Sequence, residues 1–374
     1  MIELLNSLNM KKYAATRLKS RFNKIGWIIV AWMFVSVLQF YFGYNILRQF
    51  NCVPQDQPVA NYLATNVFTS LMAGVLGGSM IVFLWEKWLR SMTYGKMLLC
   101  MIGSYSVVYV IVAFWGALLT HYFETDLPVV HRNVAGAVID HLRQEEELPS
   151  SYLFWLLVVL ATLIVLQVND KYGPSVFRDF LLGRYFHPRR EERIFMFLDM
   201  RSSTAIAEQL GEEKYFNLVQ DAFSDATAPI IYSKGEIYQY VGDEIIISWK
   251  MKHGLPQANC LNCFFEIQKT LRRKAPEYQK KYGLIPEFKA GVHTGYVMAG
   301  EIGVVKRDIA FSGDVLNTTA RIQSKCNDLG VNLLFSKVLL EQLIPPPNGF
   351  TTRKMGDLPL RGKQDTVTLY TLSV

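Results

Sequence analysis

The chain has 374 residues, of which 51% are hydrophobic, and a formal net charge of +7. Much of the positive excess flanks apolar stretches, where membrane topology and anionic lipid headgroups account for it, so no nucleic-acid role is predicted. The five cysteines are scattered along the sequence, which argues against a disulfide framework. Cys260 and Cys263 form a CxxC pattern that is interpreted as core packing rather than as a zinc or redox site.

The N-terminal half is predicted to be a membrane domain. Residues 1–26 form a basic segment, and its first 24 residues are interpreted as an amphipathic helix on the inner leaflet or, alternatively, as a disordered tail. Four apolar stretches then approach or exceed the roughly 20 residues that span a bilayer. They predict a helical transmembrane domain over 27–168, with spans at 27–47, 67–85, 97–119 and 151–168.

Charge asymmetry predicts the orientation of these spans. Lysine and arginine cluster before the first span, between the second and third, and after the fourth. The positive-inside rule therefore predicts a multi-pass protein of the inner (plasma) membrane, with the N-terminus and the C-terminal half in the cytoplasm. In the second span Ser70, Gly74 and Gly78 form a small-residue ridge, which predicts close packing within the bundle or, alternatively, a dimer contact.

Residues 169–190 are interpreted as a coupling helix and linker, and residues 191–374 as a soluble domain. If the spans reorient, the linker could change how two soluble domains meet, which would make the membrane domain a regulator. The sequence does not identify the ligand or membrane partner that would act on it.

The first candidate site residue of the soluble domain is Asp199. The apolar run RIFMFLDM, at 193–200, predicts a buried strand that ends beside this carboxylate. Hydroxyl side chains follow and favour a helix N-cap, with backbone amides available to a phosphate beside a cation. The predicted substrate-binding hydroxyls are those of Ser202, Ser203 and Thr204.

The second candidate is Asp243, which follows Gly242 between two β-rich runs and is therefore predicted to lie at a hairpin turn. Two carboxylates at strand ends suit Mg²⁺ or Mn²⁺. A pair of ions about 4 Å apart could activate an attacking hydroxyl and neutralise a leaving phosphate. The alternative interpretation is that Asp199 caps a helix and Asp243 only makes a turn.

Two further elements carry candidate residues. In SGDVLNTTARIQ, at 312–323, Asn317 and Arg321 lie four residues apart and share one face of a predicted helix. The arginine could stabilise charge on a phosphoryl group, and the asparagine could fix a sugar or base. Lys363, in LRGKQ, could hold a terminal phosphate, although a solvated surface lysine is the alternative.

These four elements resemble, in order, spacing and identity, the catalytic domain of class III adenylate and guanylate cyclases, over about 190–374. The resemblance implies an α+β, ferredoxin-like domain, with two Mg²⁺ or Mn²⁺ ions on Asp199 and Asp243. It also implies active sites at a homodimer interface, where one chain supplies the metal ligands and the other supplies Asn317, Arg321 and Lys363. GVHTGYVMAGEIG, at 291–303, resembles the family's glycine-rich strand pair.

The resemblance also marks where the purine is selected. Gln239 stands where adenylate cyclases usually carry lysine and guanylate cyclases glutamate. Ala310 stands at the second selecting position, which usually holds Asp, Thr or Cys. Glutamine both donates and accepts hydrogen bonds and alanine offers no side-chain hydrogen bond, so neither forces one purine. Ser202 and Ser203 also depart from the Gly-Phe that the family often carries.

The predicted activity is that of a membrane-anchored adenylate cyclase, which converts ATP into 3′,5′-cyclic AMP and pyrophosphate. The alternatives are a guanylate cyclase that uses GTP and a catalytically silent, cyclase-like sensor. A diguanylate cyclase is disfavoured because GDE, at 242–244, lacks the flanking residues of that family's GGDEF motif. A transporter is a weaker alternative, because the spans hold few ionisable residues.

Overall fold

The structure, a computed structural model, divides the chain into two units, Met1–Asp170 and Lys171–Val374. It describes residues 2–50, 58–85, 93–125, 136, 148–172, 183–305, 308–343, 351–359 and 366–373.

Four long helices make up the described part of the N-terminal unit: α1 (Ile2–Gln49), α2 (Val59–Met80), α3 (Tyr94–Thr125) and α4 (Leu148–Tyr172). A π-helical turn, Ile81–Trp85, continues α2. The segments long and apolar enough to cross a membrane are Arg21–Gln49, Val59–Trp85, Leu99–Phe123 and Leu148–Asn169. The prediction of four such helices is confirmed, and α1 runs without a break from the basic N-terminal segment into the first of them.

The small residues of α2 face α1. A Cβ atom added at Gly74 would lie 3.0 Å from Ile29 Cα, and one added at Gly77 would lie 2.9 Å from the Trp32 ring. The predicted ridge therefore packs within the bundle, and it includes Gly77, which lies outside the four-residue spacing. Polar contacts reinforce the packing, because the Trp32 indole Nε1 donates a hydrogen bond to Thr162 Oγ1 of α4 at 3.0 Å.

The C-terminal unit is built on a mixed sheet with the strand order β2-β3-β1-β4-β6-β8-β7, and β5 pairs with β4. Strand β1 is antiparallel to both β3 and β4, and β2 is antiparallel to β3. The four strands β2-β3-β1-β4 have the order of a ferredoxin-like core, as predicted. The strands are β1 (Arg189–Met200), β2 (Glu236–Val241), β3 (Glu244–Lys250), β4 (Phe288–Ile302), β5 (Asp308–Ser312), β6 (Leu333–Ser336), β7 (Thr351–Pro359) and β8 (Thr366–Ser373).

Helices cover both faces of this sheet, and alternation along β1 separates the two cores. Ile194, Met196 and Leu198 belong to the core that contains α6 and α8. Phe195 and Phe197 belong to the core beneath α10, so Asp199, two residues further on, points to the α10 face. The helices are α5 (Ser203–Leu210), α6 (Glu212–Tyr232), α7 (Met251–Gly254), α8 (Asn259–Arg273), α9 (Ala275–Tyr282), α10 (Asp314–Asp328) and α11 (Lys337–Gln342).

The CxxC pair lies on α8 inside the first of these cores. Cys260 and Cys263 are both buried and unbridged. Burial raises the pKa of each thiol to about 12, so both stay protonated. The prediction that they serve core packing is confirmed.

Candidate active site

A row of charged side chains crosses the sheet at the end of β1. Asp199 pairs with Glu244 on β3 and with Lys289 on β4, and directly paired residues point to the same face. The Lys289 Nζ atom lies 3.1 Å from Asp199 Oδ2. Gln323 Nε2, from α10, donates to the same oxygen at 2.8 Å. Two donors from separate elements therefore fix the carboxylate of Asp199.

Asp243 lies where the hairpin was predicted. Strand β2 ends at Val241 and β3 begins at Glu244, so Gly242 and Asp243 form the turn. Gly242 has a φ of 60°, a left-handed conformation that glycine adopts at no steric cost. Asp243 Oδ2 is buried and has no hydrogen-bond partner among the described residues. Since a buried carboxylate oxygen is costly to leave unpaired, a bound cation is the natural partner.

The raised pKa values of the neighbouring carboxyl groups also fit a bound cation. Burial and the nearby charge of Asp243 raise the pKa of Asp199, although hydrogen bonds from Lys289 and Gln323 oppose this. Burial, followed by the charges of Asp199 and Asp243, raises the pKa of Glu244 to about 7. A divalent ion would reverse these shifts by neutralising the excess negative charge. No set of three or more metal-ligating side chains converges within the described residues, so the described part of the protein would supply two carboxylates.

The helix start after Asp199 differs from the prediction. Ser202 is the N-cap residue of α5, but it has φ 53° and ψ 30° and makes no side-chain capping hydrogen bond. A side-chain cap needs an extended backbone at the N-cap residue, and the backbone of Ser202 is left-handed instead. The predicted side-chain cap is therefore wrong at Ser202, and Asp199 is not the cap either. Ser203 is half-buried and Thr204 is exposed.

The predicted catalytic pair lies on α10. Asn317 is exposed and Arg321 is half-buried, whereas the side of this helix that packs on the sheet includes Ile322 and Gln323. The described contact between α10 and Asp199 is made by Gln323. Within one chain, no described contact brings Asn317 or Arg321 to Asp199 or Asp243.

The glycine-rich strand explains how α10 comes so close to the sheet. A Cβ at Gly291 of β4 would lie 2.4 Å from the backbone nitrogen of Gln323, and one at Gly295 would lie 2.6 Å from Val315 Cγ2. Glycine at these positions therefore sets the distance between β4 and α10. Sequence reasoning missed Lys289 and Gln323, and the available signal was a lysine within the buried first half of β4.

The two predicted purine-selecting positions lie on β2, which pairs with β3, and on β5, which pairs with β4. Gln239 is exposed on β2, next to a register shift that follows Ile237. Ala310 is half-buried on β5. Their chain neighbours touch, because the Phe311 amide donates to the Tyr238 hydroxyl at 3.3 Å and the two rings are 4.9 Å apart. Lys363, the predicted phosphate ligand, lies outside the described residues.

This fold agrees with that of known proteins. A model of the adenylate and guanylate cyclase catalytic domain matches residues 187–373, and the chain belongs to this family. Adenylate cyclase 2 of Rhizobium meliloti (strain 1021) is 38% identical over 218 residues, which are 57% of this chain and 59% of that protein. The adenylate cyclase of Anabaena cylindrica is 24% identical over 182 residues, 47% of this chain and 35% of that protein.

The match covers less than two thirds of either relative. Among solved structures, that of a bacterial light-regulated adenylyl cyclase superposes with a TM-score of 0.51 at 20% identity. The superposition covers 61% of this chain and 66% of that one. This similarity supports the fold.

Proposed function

We propose that the protein is a membrane-anchored adenylate cyclase that converts ATP into 3′,5′-cyclic AMP and pyrophosphate. The observation that carries the proposal is the carboxylate pair of Asp199 and Asp243, one of whose oxygens is buried without a partner among the described residues. The pair lies in a chain of the cyclase family. Two relatives that are named adenylate cyclases support ATP as the substrate.

Asp199 and Asp243 are the residues proposed to hold two Mg²⁺ or Mn²⁺ ions. Bound there, the ions would supply a lowered pKa at the ribose 3′-hydroxyl and positive charge beside the phosphates. Lys289 and Gln323 keep the Asp199 carboxylate in place for this role. Metal-ligating groups bind best when such neighbours fix their orientation.

The reaction itself needs positioning and charge stabilisation from the protein. The ribose 3′-oxygen forms a bond to the α-phosphorus, the bond to pyrophosphate breaks, and the hydroxyl proton is released. In the proposed roles Arg321 stabilises charge on the α-phosphoryl group, Asn317 orients the ribose, and Lys363 binds the terminal phosphate. The segment from Ser202 to Thr204 lies beside the phosphates.

A homodimer completes the site in this proposal, because Asn317 and Arg321 have no described contact with the metal ligands of their own chain. Strand β4 and the turn after it carry exposed apolar side chains suited to a second copy, and Val304 is 90% exposed. Apolar side chains of this kind form the cores of homodimer interfaces. The exposed set is Tyr296, Met298, Ile302, Val304 and Val305.

The proposed location is the inner (plasma) membrane, with the N-terminus and the catalytic domain in the cytoplasm, where ATP is available. The four apolar helices support the anchoring, and the distribution of basic residues supports the orientation. Residues 169–190 are proposed to couple the membrane domain to the catalytic domain at 191–374.

Product analysis of the purified full-length protein tests the proposal. Incubated with ATP and Mg²⁺ or Mn²⁺, the wild type should form cyclic AMP, and Asp199→Ala should not. Asp328→Ala, which removes an exposed aspartate of α10, is the matched control and should stay active. Cyclic GMP formed from GTP instead would identify the second candidate, a guanylate cyclase, which Gln239 and Ala310 permit. No cyclic product from the wild type would refute the proposal and favour a silent sensor.

A further inference from the structure

Arg193 of β1 is a charged residue buried in the catalytic domain, with 1% of its surface exposed. Its Nε atom lies 2.8 Å from Glu191 Oε2, and its Nη1 atom lies 2.8 Å from Glu236 Oε2. Removing one partner of a buried ion pair leaves an uncompensated charge, so such pairs hold their elements in fixed positions. Arg193 therefore ties β1 firmly to β2, the strand of Glu236.

The guanidinium also contacts β5. Its Cζ atom lies 4.5 Å from the centroid of the Phe311 ring, and a planar guanidinium stacks well on an aromatic face. Phe311 directly follows Ala310, and Tyr238, which contacts Phe311, directly precedes Gln239. One side chain thus contacts both strands that carry the predicted purine-selecting positions.

The segment that enters the domain reaches the same guanidinium. The Tyr185 hydroxyl donates to Glu191 Oε1 at 3.2 Å and accepts from Arg193 Nη2 at 3.5 Å. The Tyr185 backbone carbonyl accepts from the Glu301 amide of β4 at 3.1 Å, and the residue is buried. Tyr185 is therefore fixed to β4 through its backbone and to Arg193 through its side chain.

We propose that Arg193 is a positioning residue for the purine, which holds β2 and β5 at the separation that Gln239 and Ala310 require, and that Tyr185 orients Arg193. The inference rests on the nucleotide site of the proposed function, because Gln239 and Ala310 meet a purine only if that site binds a nucleotide. A binding group that is displaced by a fraction of an ångström loses affinity, which makes its supporting residues measurable in kinetics.

Two conservative variants of the full-length protein test the role. Glu236→Gln removes the charge that pairs Arg193 with β2, and Tyr185→Phe removes only the hydroxyl. Tyr278→Phe is the matched control, because its buried hydroxyl likewise donates to a carboxylate, Asp225 Oδ2, at 2.8 Å. That contact joins α9 to α6 and lies away from the strands of Gln239 and Ala310.

The measurements are KM and kcat for ATP and for GTP. Both test variants should raise KM for ATP about fivefold or more, because Tyr185→Phe loses one ordinary hydrogen bond and Glu236→Gln removes one charge of a buried ion pair, with kcat nearly unchanged. They should also change the ratio of kcat/KM between the two nucleotides. Tyr278→Phe should lower thermal stability to a similar degree and leave KM at the wild-type value. Equal KM values in all four proteins would overturn the inference.

Equilibrium binding separates this inference from the proposed function. If the wild type makes no cyclic product, the proposed function fails, and the Kd of the fluorescent nucleotide anthraniloyl-ATP then tests the role of Arg193. The expected result is a Kd about fivefold weaker in both test variants and unchanged in Tyr278→Phe. An unchanged Kd in the test variants, or a wild type that neither reacts nor binds the probe, overturns the inference.

Discussion

The raised pKa of Glu244 gives the free energy of unfolding a pH dependence that can be measured. Its pKa, raised to about 7 by burial and by Asp199 and Asp243, lies above the ordinary pKa of a glutamate in an unfolded chain, about 4.3. Between these two values the folded chain holds more protons than the unfolded chain. The free energy of unfolding attributable to this group therefore falls as the pH rises from about 4 to about 7.

Glu244→Gln should consequently be more stable than the wild type at pH 8 in EDTA, and the difference should disappear at about pH 4. Thermal unfolding at the two pH values measures this. Glu208→Gln, which neutralises an exposed glutamate of α5, is the control and should show no such pH-dependent gain. A stability difference for Glu244→Gln that is the same at both pH values would contradict the electrostatic explanation.

At the scale of residues, sequence reasoning located the site residues whose positions depend on short-range patterns. Asp199 and Asp243 could be placed because a strand end and a two-residue turn are short-range features. Lys289 and Gln323 could not, because their contact with Asp199 depends on the register of β1 against β4 and on the depth of α10. The left-handed backbone at Ser202 was also missed, because serine there gives no signal of positive φ.

At the scale of elements, the contact of α1 with α2 yields a sharp test. Gly77→Ile places a branched side chain where even a Cβ would lie 2.9 Å from the Trp32 ring, whereas a Cβ at Gly43 of α1 would meet nothing within 4 Å. Overpacking a tight contact costs about 1–3 kcal/mol. Gly77→Ile should therefore lower the unfolding temperature of the detergent-solubilised protein by several degrees more than Gly43→Ile does. Equal effects would refute the packing of this ridge.

The helices and strands themselves were largely predictable from the sequence, whereas the distances between packed elements were not. Length and apolarity sufficed for the four long helices, and a short apolar run sufficed for β1. In the sequence the glycines of β4 resembled a family motif. The structure shows their physical role, which is to let α10 pack closely on the strand. The packing of Gly291 against the backbone of Gln323 is a contact between residues far apart in sequence, which periodicity cannot encode.

At the scale of the whole molecule, composite active sites predict complementation. Asp199→Ala and Arg321→Ala should each be inactive in cyclic AMP formation, and Arg321→Ala should fold normally while losing on the order of 10³ in rate. Mixed dimers of the two variants contain one site with every proposed residue intact. Co-expression should therefore restore about a quarter of the wild-type activity, since half of randomly paired dimers are mixed and each has one working site.

The matched control is the mixture of Asp199→Ala with Asp243→Ala. Both variants damage the metal-binding half of the site, so no mixed dimer contains an intact site and activity should stay absent. Restored activity in this control, or none in the first mixture, would contradict a site shared between chains. The order of the two halves of this chain could be predicted from composition, whereas the pairing of two copies depends on surface complementarity that sequence patterns do not describe.

The buried thiols have a consequence for the chemical reactivity of the C-terminal unit. Cys260, Cys263 and Cys326 are all buried with pKa values raised to about 12, and together they are all the cysteines after residue 190. At pH 7 such thiols are protonated, whereas the thiolate is the form that oxidants and alkylating agents attack. These three thiols should therefore react slowly with peroxide and with alkylating agents while the domain is folded.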